Sequence, residues 1–182
     1  MKKDDKKSLN NTNNLIDLKN IVDEADKYEE INTHTLNNGQ DMEFHPYFSR
    51  TKIKEIIEEY KNYMMSEDKD DKAFMEMVTK DEINIVLFWY FLTIKKFTHF
   101  GESMKRIKKV KSLAPYYNAL LETGILEEIV NDAFVYTELN KINDMFAKDA
   151  AISTSAMEFV DKFDIELDKS REKFKQVHMN EK

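Results

Sequence analysis

Apolar residues recur along this chain at intervals of three and four, and the pattern breaks wherever glycine, proline or a charge run intervenes. That spacing puts side chains on one face of a helix. Leu15, Leu18, Val22 and Ala25, with Ile21 beside them, predict a first helix from Asn14. Its stripe is narrow, and a helix of about 17 residues is marginal alone in water, so it needs a partner. Residues 31–44, "INTHTLNNGQDMEF", change character. Asn38-Gly39 supplies the positive φ angles of a tight turn, and Thr33, Thr35, Met42 and Phe44 suit strands, which predicts a small β-hairpin.

The clearest helix start follows in "HPYFSRTKIKEIIEEYKNYMM". Pro46 blocks continuation from the hairpin, Ser49 is a good N-cap, and Phe48 and Ile53 stand where a hydrophobic staple would close over it. Ile53, Ile56, Ile57, Tyr60, Tyr63 and Met64 give this helix a wide apolar face, and the charged residues 66–72 are read as a loop ending it. A second helical region is expected from Ala73 to Phe100, with a break near Thr79-Lys80-Asp81 and a stop at Gly101. Pro115 opens the next helix, with Tyr116, Tyr117, Leu120 and Leu121, and Gly124 ends it. Ile125, Leu126, Ile129, Val130, Ala133 and Phe134 continue the stripe into Leu139, Ile142, Met145 and Phe146. A last amphipathic helix is expected from Ser153, with Val160, Phe163, Leu167, Phe174 and Val177 on one seam and Ser170 as its polar position.

The fold class this predicts is mainly α: an irregular helical bundle with a small N-terminal hairpin and an extra C-terminal amphipathic helix. Three segments are expected: a polar tail and amphipathic helix over 1–30, a hairpin-plus-helix core over 31–150, and a C-terminal helix and tail over 151–182. Only three glycines and two prolines occur, which fits long helices and opposes all-β or glycine-loop nucleotide-binding folds. Residues 83–100, "INIVLFWYFLTIKKFTHF", are the most apolar stretch. Ile85 to Ile94 would extend only about 15 Å as helix, against a hydrocarbon layer of about 30 Å. Apolar residues on every side instead predict a central helix covered by its neighbours, with Trp89 in the core or at an interface.

Composition narrows the chemistry. There is no cysteine, so disulfides, thiolate metal sites and a cysteine nucleophile are excluded. The N-terminal "MKKDDKKSLNNTNN" has no apolar segment behind its lysines, so a cytoplasmic protein without a secretory signal is expected. His34, His45, His99 and His178 are scattered, with no paired-ligand spacing. Asp68, Asp70 and Asp71 resemble the start of a calcium loop, but Ala73 and Thr79 stand where its glycine and glutamate belong, so a solvated charge run is expected. No nucleophile elbow or phosphate-binding glycine motif is present. Neither an enzyme nor a cofactor is expected.

The net charge is −7, with 28 basic against 35 acidic side chains. Residues 95–111 depart from that balance: seven basic residues stand against Glu102 alone, a local +6 that leaves −13 elsewhere. Lys105, Arg106, Lys108, Lys109 and Lys111, with Phe97, His99 and Phe100 upstream, could bind phosphates and stack bases. The plainer reading is a cationic patch that complements acidic neighbours such as Glu127 and Glu128, or an acidic partner chain. The acidic remainder favours the plainer reading.

The stretch "LNNGQDMEFHPYFSRTKIKEIIEEY", followed by "FLTIKKFTHF" and "NALLETGILEEIVNDAF", resembles small helical tail-assembly chaperones of long-tailed bacteriophages that infect low-GC Gram-positive bacteria. The resemblance spans roughly residues 33–146. It implies a non-enzymatic protein that binds tail components in the host cytoplasm, such as the tape-measure protein, and keeps them soluble during assembly. Phe44, Pro46, Tyr47 and Phe48 carry over as motif positions that lock hairpin to helix. Val160, Phe163, Leu167 and Phe174 are expected to meet a protein partner, which could be a second copy of the chain. Two other readings stay open: a nucleic-acid-binding regulator acting through residues 95–111, and a phage inhibitor of a host defence system. No membrane partner is expected.

Overall fold

The computed structural model describes residues 16–149. The predicted C-terminal helix, with Val160, Phe163, Leu167, Ser170, Phe174 and Val177, lies outside them, as do Asn14 and Leu15. The described chain is mainly α with one two-stranded antiparallel hairpin. Helix α1 (Leu18–Ala25) is capped by the Asp17 side chain, which accepts from Lys19 N–H, and leads through a 3₁₀ turn (Asp26–Glu29) into the hairpin.

Strands β1 (Asn32–Thr35) and β2 (Asp41–Phe44) pair from Asn32 opposite Phe44 to Thr35 opposite Asp41. The turn is wider than Asn-Gly alone predicts. Leu36 donates to Gln40 O, Asn38 Oδ1 caps Gln40 N–H, and only Gly39 has positive φ (82°). Asn38 is spared the left-handed backbone because the loop spends its extra residues instead.

Helix α2 (Arg50–Met64) begins as its sequence requires, with Ser49 Oγ accepting from Lys52 N–H at 3.2 Å. It buries Ile53, Ile56, Ile57 and Tyr63, while Met64 stays exposed. The presumed loop over 66–72 is shorter than expected. Helix α3 (Lys69–Val78) starts inside it, with Asp68 capping Asp70 and Asp71 N–H. Acidic residues that look like a solvated run are therefore a cap and a first turn, where the helix dipole favours negative charge.

Helix α4 (Glu82–Phe97) is the central element, and the expected break before it falls at Thr79–Asp81. Its cover is uneven. Phe88, Phe91, Leu92, Thr93, Ile94 and Phe97 are buried, but Ile83 is 71% and Val86 38% exposed near its start. Trp89 lies between these regimes, half-buried against the core.

The helix ends at Phe97 rather than at Gly101. Thr98 turns extended and bridges Phe44, so the chain adds a third short rung beside β2. His45 N–H donates to Phe97 O at 2.8 Å and His99 N–H to Glu43 O at 3.0 Å. Gly101 instead sits inside the short helix α5 (Phe100–Met104), where a Cβ would collide with the backbone carbonyl of Lys95. The glycine permits close approach; it does not act as a stop.

A 3₁₀ turn (Val110–Leu113) leads into α6 (Ala114–Glu122), with Pro115 in its first turn and Gly124 (φ 72°) following it. Helix α7 (Ile125–Glu128) continues directly into a π-helical turn (Ile129–Ala133), with Phe134 N–H donating to Ile129 O. Apolar pairs repeat there every four residues, which drifts from an α-helical turn of about 3.6 residues. A wider turn restores the register, burying Leu126, Ile129, Ala133 and Phe134. Helix α8 occupies residues 136–149 and buries Leu139, Ile142 and Phe146.

The aromatic contacts fix how three helices lie. Tyr60 of α2 meets Phe88 and Trp89 of α4 and Phe146 of α8 at 5.9–6.4 Å. At the other end Phe48, just before α2, stacks on Phe97 at 4.0 Å, while its N–H donates to Glu138 of α8. Helices α2 and α8 thus run in the same direction, both antiparallel to α4.

Candidate functional site

Four places could carry function: the hairpin–helix junction, the cationic segment with the cleft beside it, the stripe on α1, and the C-terminal seam outside the described residues.

The junction is closed. Phe44, Pro46 and Phe48 are buried, and Tyr47 is 37% exposed with the Lys27 ammonium 5.9 Å from its ring. Phe134 meets Phe48 edge-on at 5.0 Å and Phe44 at 6.1 Å. Phe48 N–H lies outside α2 and is buried, so it needs an acceptor. Glu138 Oε2 accepts it at 2.8 Å, and Lys141 Nζ neutralises that carboxylate from 2.6 Å. Sequence reasoning misses Glu138, because a glutamate among many on a surface-rich helix gives no signal; only its 6% exposure does.

Four of the seven basic side chains in the cationic segment form internal ion pairs, while Arg106, Lys108 and Lys111 are exposed and meet no carboxylate among the described residues. Lys95 pairs with Glu59 and Lys96 with Glu55, both across to α2. Lys105 reaches Glu102 at 3.5 Å, and Lys109 reaches Asp68 at 2.6 Å. Lys111 is held by its backbone, whose N–H donates to the buried Asp71 carboxylate at 2.9 Å. Asp71 also accepts from Ser66 Oγ, so it straps residues 109–111 onto α3. The acidic complement exists, but it is not Glu127 and Glu128. Glu128 serves the hairpin instead, accepting from Asn37 N–H at 2.6 Å and standing 3.9 Å from His34 Nε2.

Beside this segment a cleft of about 850 Å³ opens between β2, α2 and the end of α4. Glu58, Glu59, Lys95, Lys96, His99 and Lys108 are among its walls. His99 Nδ1 accepts from Glu43 N–H at 3.1 Å, which commits that nitrogen to the hairpin. Both signs of charge line the space and largely satisfy each other, so the cleft presents neither a cationic groove nor a set of convergent carboxylates. Among the described residues no three His, Asp or Glu side chains gather as a metal site.

Electrostatic perturbations follow packing. Lys109 holds the Asp68 carboxyl below the usual range, helped by the N–H groups of Asp71 and Asp70, and Asp68 in turn raises Lys109. Burial pushes the Tyr63 hydroxyl well up, reinforced by its bond to Glu59. Burial also raises Tyr60, partly offset by the nearby Trp89 indole N–H, which falls short of hydrogen-bond geometry. Burial and the charge of Asp81 raise Tyr117. Burial thus keeps these tyrosines protonated.

Helix α1 is different in kind. It buries no residue, and Leu18, Ile21 and Val22 are 75%, 41% and 62% exposed. Ile16 before it is 80% exposed and Ile31 after it 60%. The apolar stripe read from sequence is present and uncovered.

A family model matches residues 18–181, nearly the whole chain, and its description is YomO. The chain belongs to the YomO family. That membership makes it a phage-associated protein. The matched region starts at α1 and runs almost to the C-terminus, beyond the 33–146 over which the tail-chaperone resemblance is carried, so the sequence on both sides of that stretch belongs to the family's pattern. Searches of curated proteins and of solved structures returned no match. Among the described residues no helix is long and apolar enough to cross a membrane.

Proposed function

We propose that this YomO-family chain is a non-enzymatic, protein-binding accessory protein of phage assembly. It acts as a tail-assembly chaperone that holds a helical tail component, such as the tape-measure protein, soluble until assembly. The observation that carries the reading is the stripe of α1. An eight-residue amphipathic helix with no buried residue spends ordering entropy without return, unless a partner covers its apolar face. The ion pairs of Lys95, Lys96 and Lys109 support protein binding over nucleic-acid binding, because those three cations are committed within the chain and contribute less to neutralising a phosphate backbone.

Co-expression tests it. The wild-type chain should raise the soluble yield of its phage's tape-measure protein and co-purify with it, and the double variant Leu18→Asp/Val22→Asp should do neither while keeping its own helical content. Equal rescue by both chains, or rescue of no tail component, refutes the reading. A salt-dependent shift of random DNA or RNA by the wild type would favour the nucleic-acid alternative.

A further inference from the structure

The second uncovered apolar surface lies where the described chain ends. Ile83 and Val86 near the start of α4 are 71% and 38% exposed, and Met64 and Met65 at the end of α2 are 46% and 76% exposed. Because α8 runs antiparallel to α4, its direction leads to this patch. Phe134 packs at the level of Phe97 through Phe48, and Phe146 stacks on Trp89 at 3.9 Å. Asp149 is anchored to Lys61 of α2 at 2.7 Å, one turn before Met64. The chain therefore leaves the described residues at the end of the bundle where α2 stops and α4 starts, with 33 residues still to come. The Trp89 indole N–H, itself shielded from water, has no acceptor among the described residues.

We infer that the apolar seam of residues 150–182 folds back onto this patch, with Val160, Phe163 and Leu167 covering Ile83, Val86 and the two methionines. Val160 stands eleven positions after Asp149, a reach of up to about 36 Å of extended chain. Tethering so close gives an effective concentration of order millimolar, well above that of a second copy at ordinary protein concentrations. The seam is thereby occupied by its own chain and not by a second copy. This inference is independent of the chaperone reading, and either can fail without the other.

The chain has no cysteine, so a single introduced thiol reports cover directly. In the full chain, Ile83→Cys should react with a maleimide at least ten-fold more slowly than Tyr136→Cys, a control position that is 74% exposed. Adding Val160→Asp, Phe163→Asp and Leu167→Asp should restore the fast rate at position 83 and leave position 136 unchanged. The protection should be the same at 1 and 50 micromolar chain. Equal rates at the two positions, protection that the aspartates do not release, or protection that vanishes on dilution would each overturn the inference, the last by assigning the patch to a second copy.

Discussion

Two aromatic stacks in this molecule have nearly the same geometry and different surroundings. Phe48 and Phe97 stack at 4.0 Å and 17°, and Trp89 and Phe146 at 3.9 Å and 13°. The first pair is closed on every side. Both rings are essentially inaccessible, Phe134 stands edge-on against one, and the polar atom that burial strands, Phe48 N–H, has its own carboxylate. The second pair sits at a rim, with Trp89 half-buried and its N–H unanswered. Ring geometry alone therefore does not rank them. What separates the two is whether the polar groups drawn in with the rings are satisfied, and whether water is kept from the edges.

That contrast breaks most sharply at the closed end. Phe48→Ala should cost about 3–5 kcal/mol, read as a shift in urea midpoint at unchanged slope. A loss below about 1 kcal/mol would mean that the junction does not hold the bundle together. Next in size is Gly101→Ala, which forces a methyl group against the Lys95 carbonyl. It should cost about 1–3 kcal/mol by overpacking, and near-neutrality would show that α5 can slide away from α4. At the rim, Trp89→Phe should change stability by no more than about 1 kcal/mol, since the lost ring area is offset by removal of an unpaired donor. The same experiment removes the chain's one tryptophan, so loss of the native fluorescence signal confirms the substitution.

The smallest effect is expected at Asp68→Asn, which keeps a capping side chain on α3 and removes only its charge. The Asp68 carboxyl titrates lower in the folded chain than its ordinary 3.8, so its contribution is complete above that value and is lost as the pH falls through the folded pKa. Wild type and variant should thus differ slightly at neutral pH and converge under acid. Thermal melts at pH 7 and pH 3 measure both, and a difference that grows toward pH 3 would reverse the sign.

Sequence patterning carries the helices, the hairpin and the start of α2, because Ser49, Pro46 and the apolar intervals act locally. It is less informative where tertiary contact decides the outcome. Gly101 reads as a terminator because glycine usually ends helices, and only the nearby Lys95 carbonyl gives its other role. Asp71 reads as solvated because its neighbours are charged, whereas a backbone N–H forty residues away buries it. The uncovered start of α4 also escapes a hydropathy reading, since Ile83 and Phe88 are equally apolar and differ only in what lies opposite. Of the candidate sites, the lysines of 105–111 are legible as a patch but not as paired. Lys109 meets Asp68, the N-cap of α3 and forty-one positions away, and no spacing rule connects the two.

The hairpin's dependence on distant residues has a kinetic consequence. Phe44 is bridged to Thr98, and the Phe48 amide waits for Glu138, ninety positions along the chain. A lone two-stranded hairpin does not persist in water, and closing so long a loop is slow compared with coiling a helix. The N-terminal third therefore gains its last partner only once α8 has been synthesised. Only then is the Phe48 amide answered, and a chain truncated before residue 138 would leave its aromatic junction incomplete.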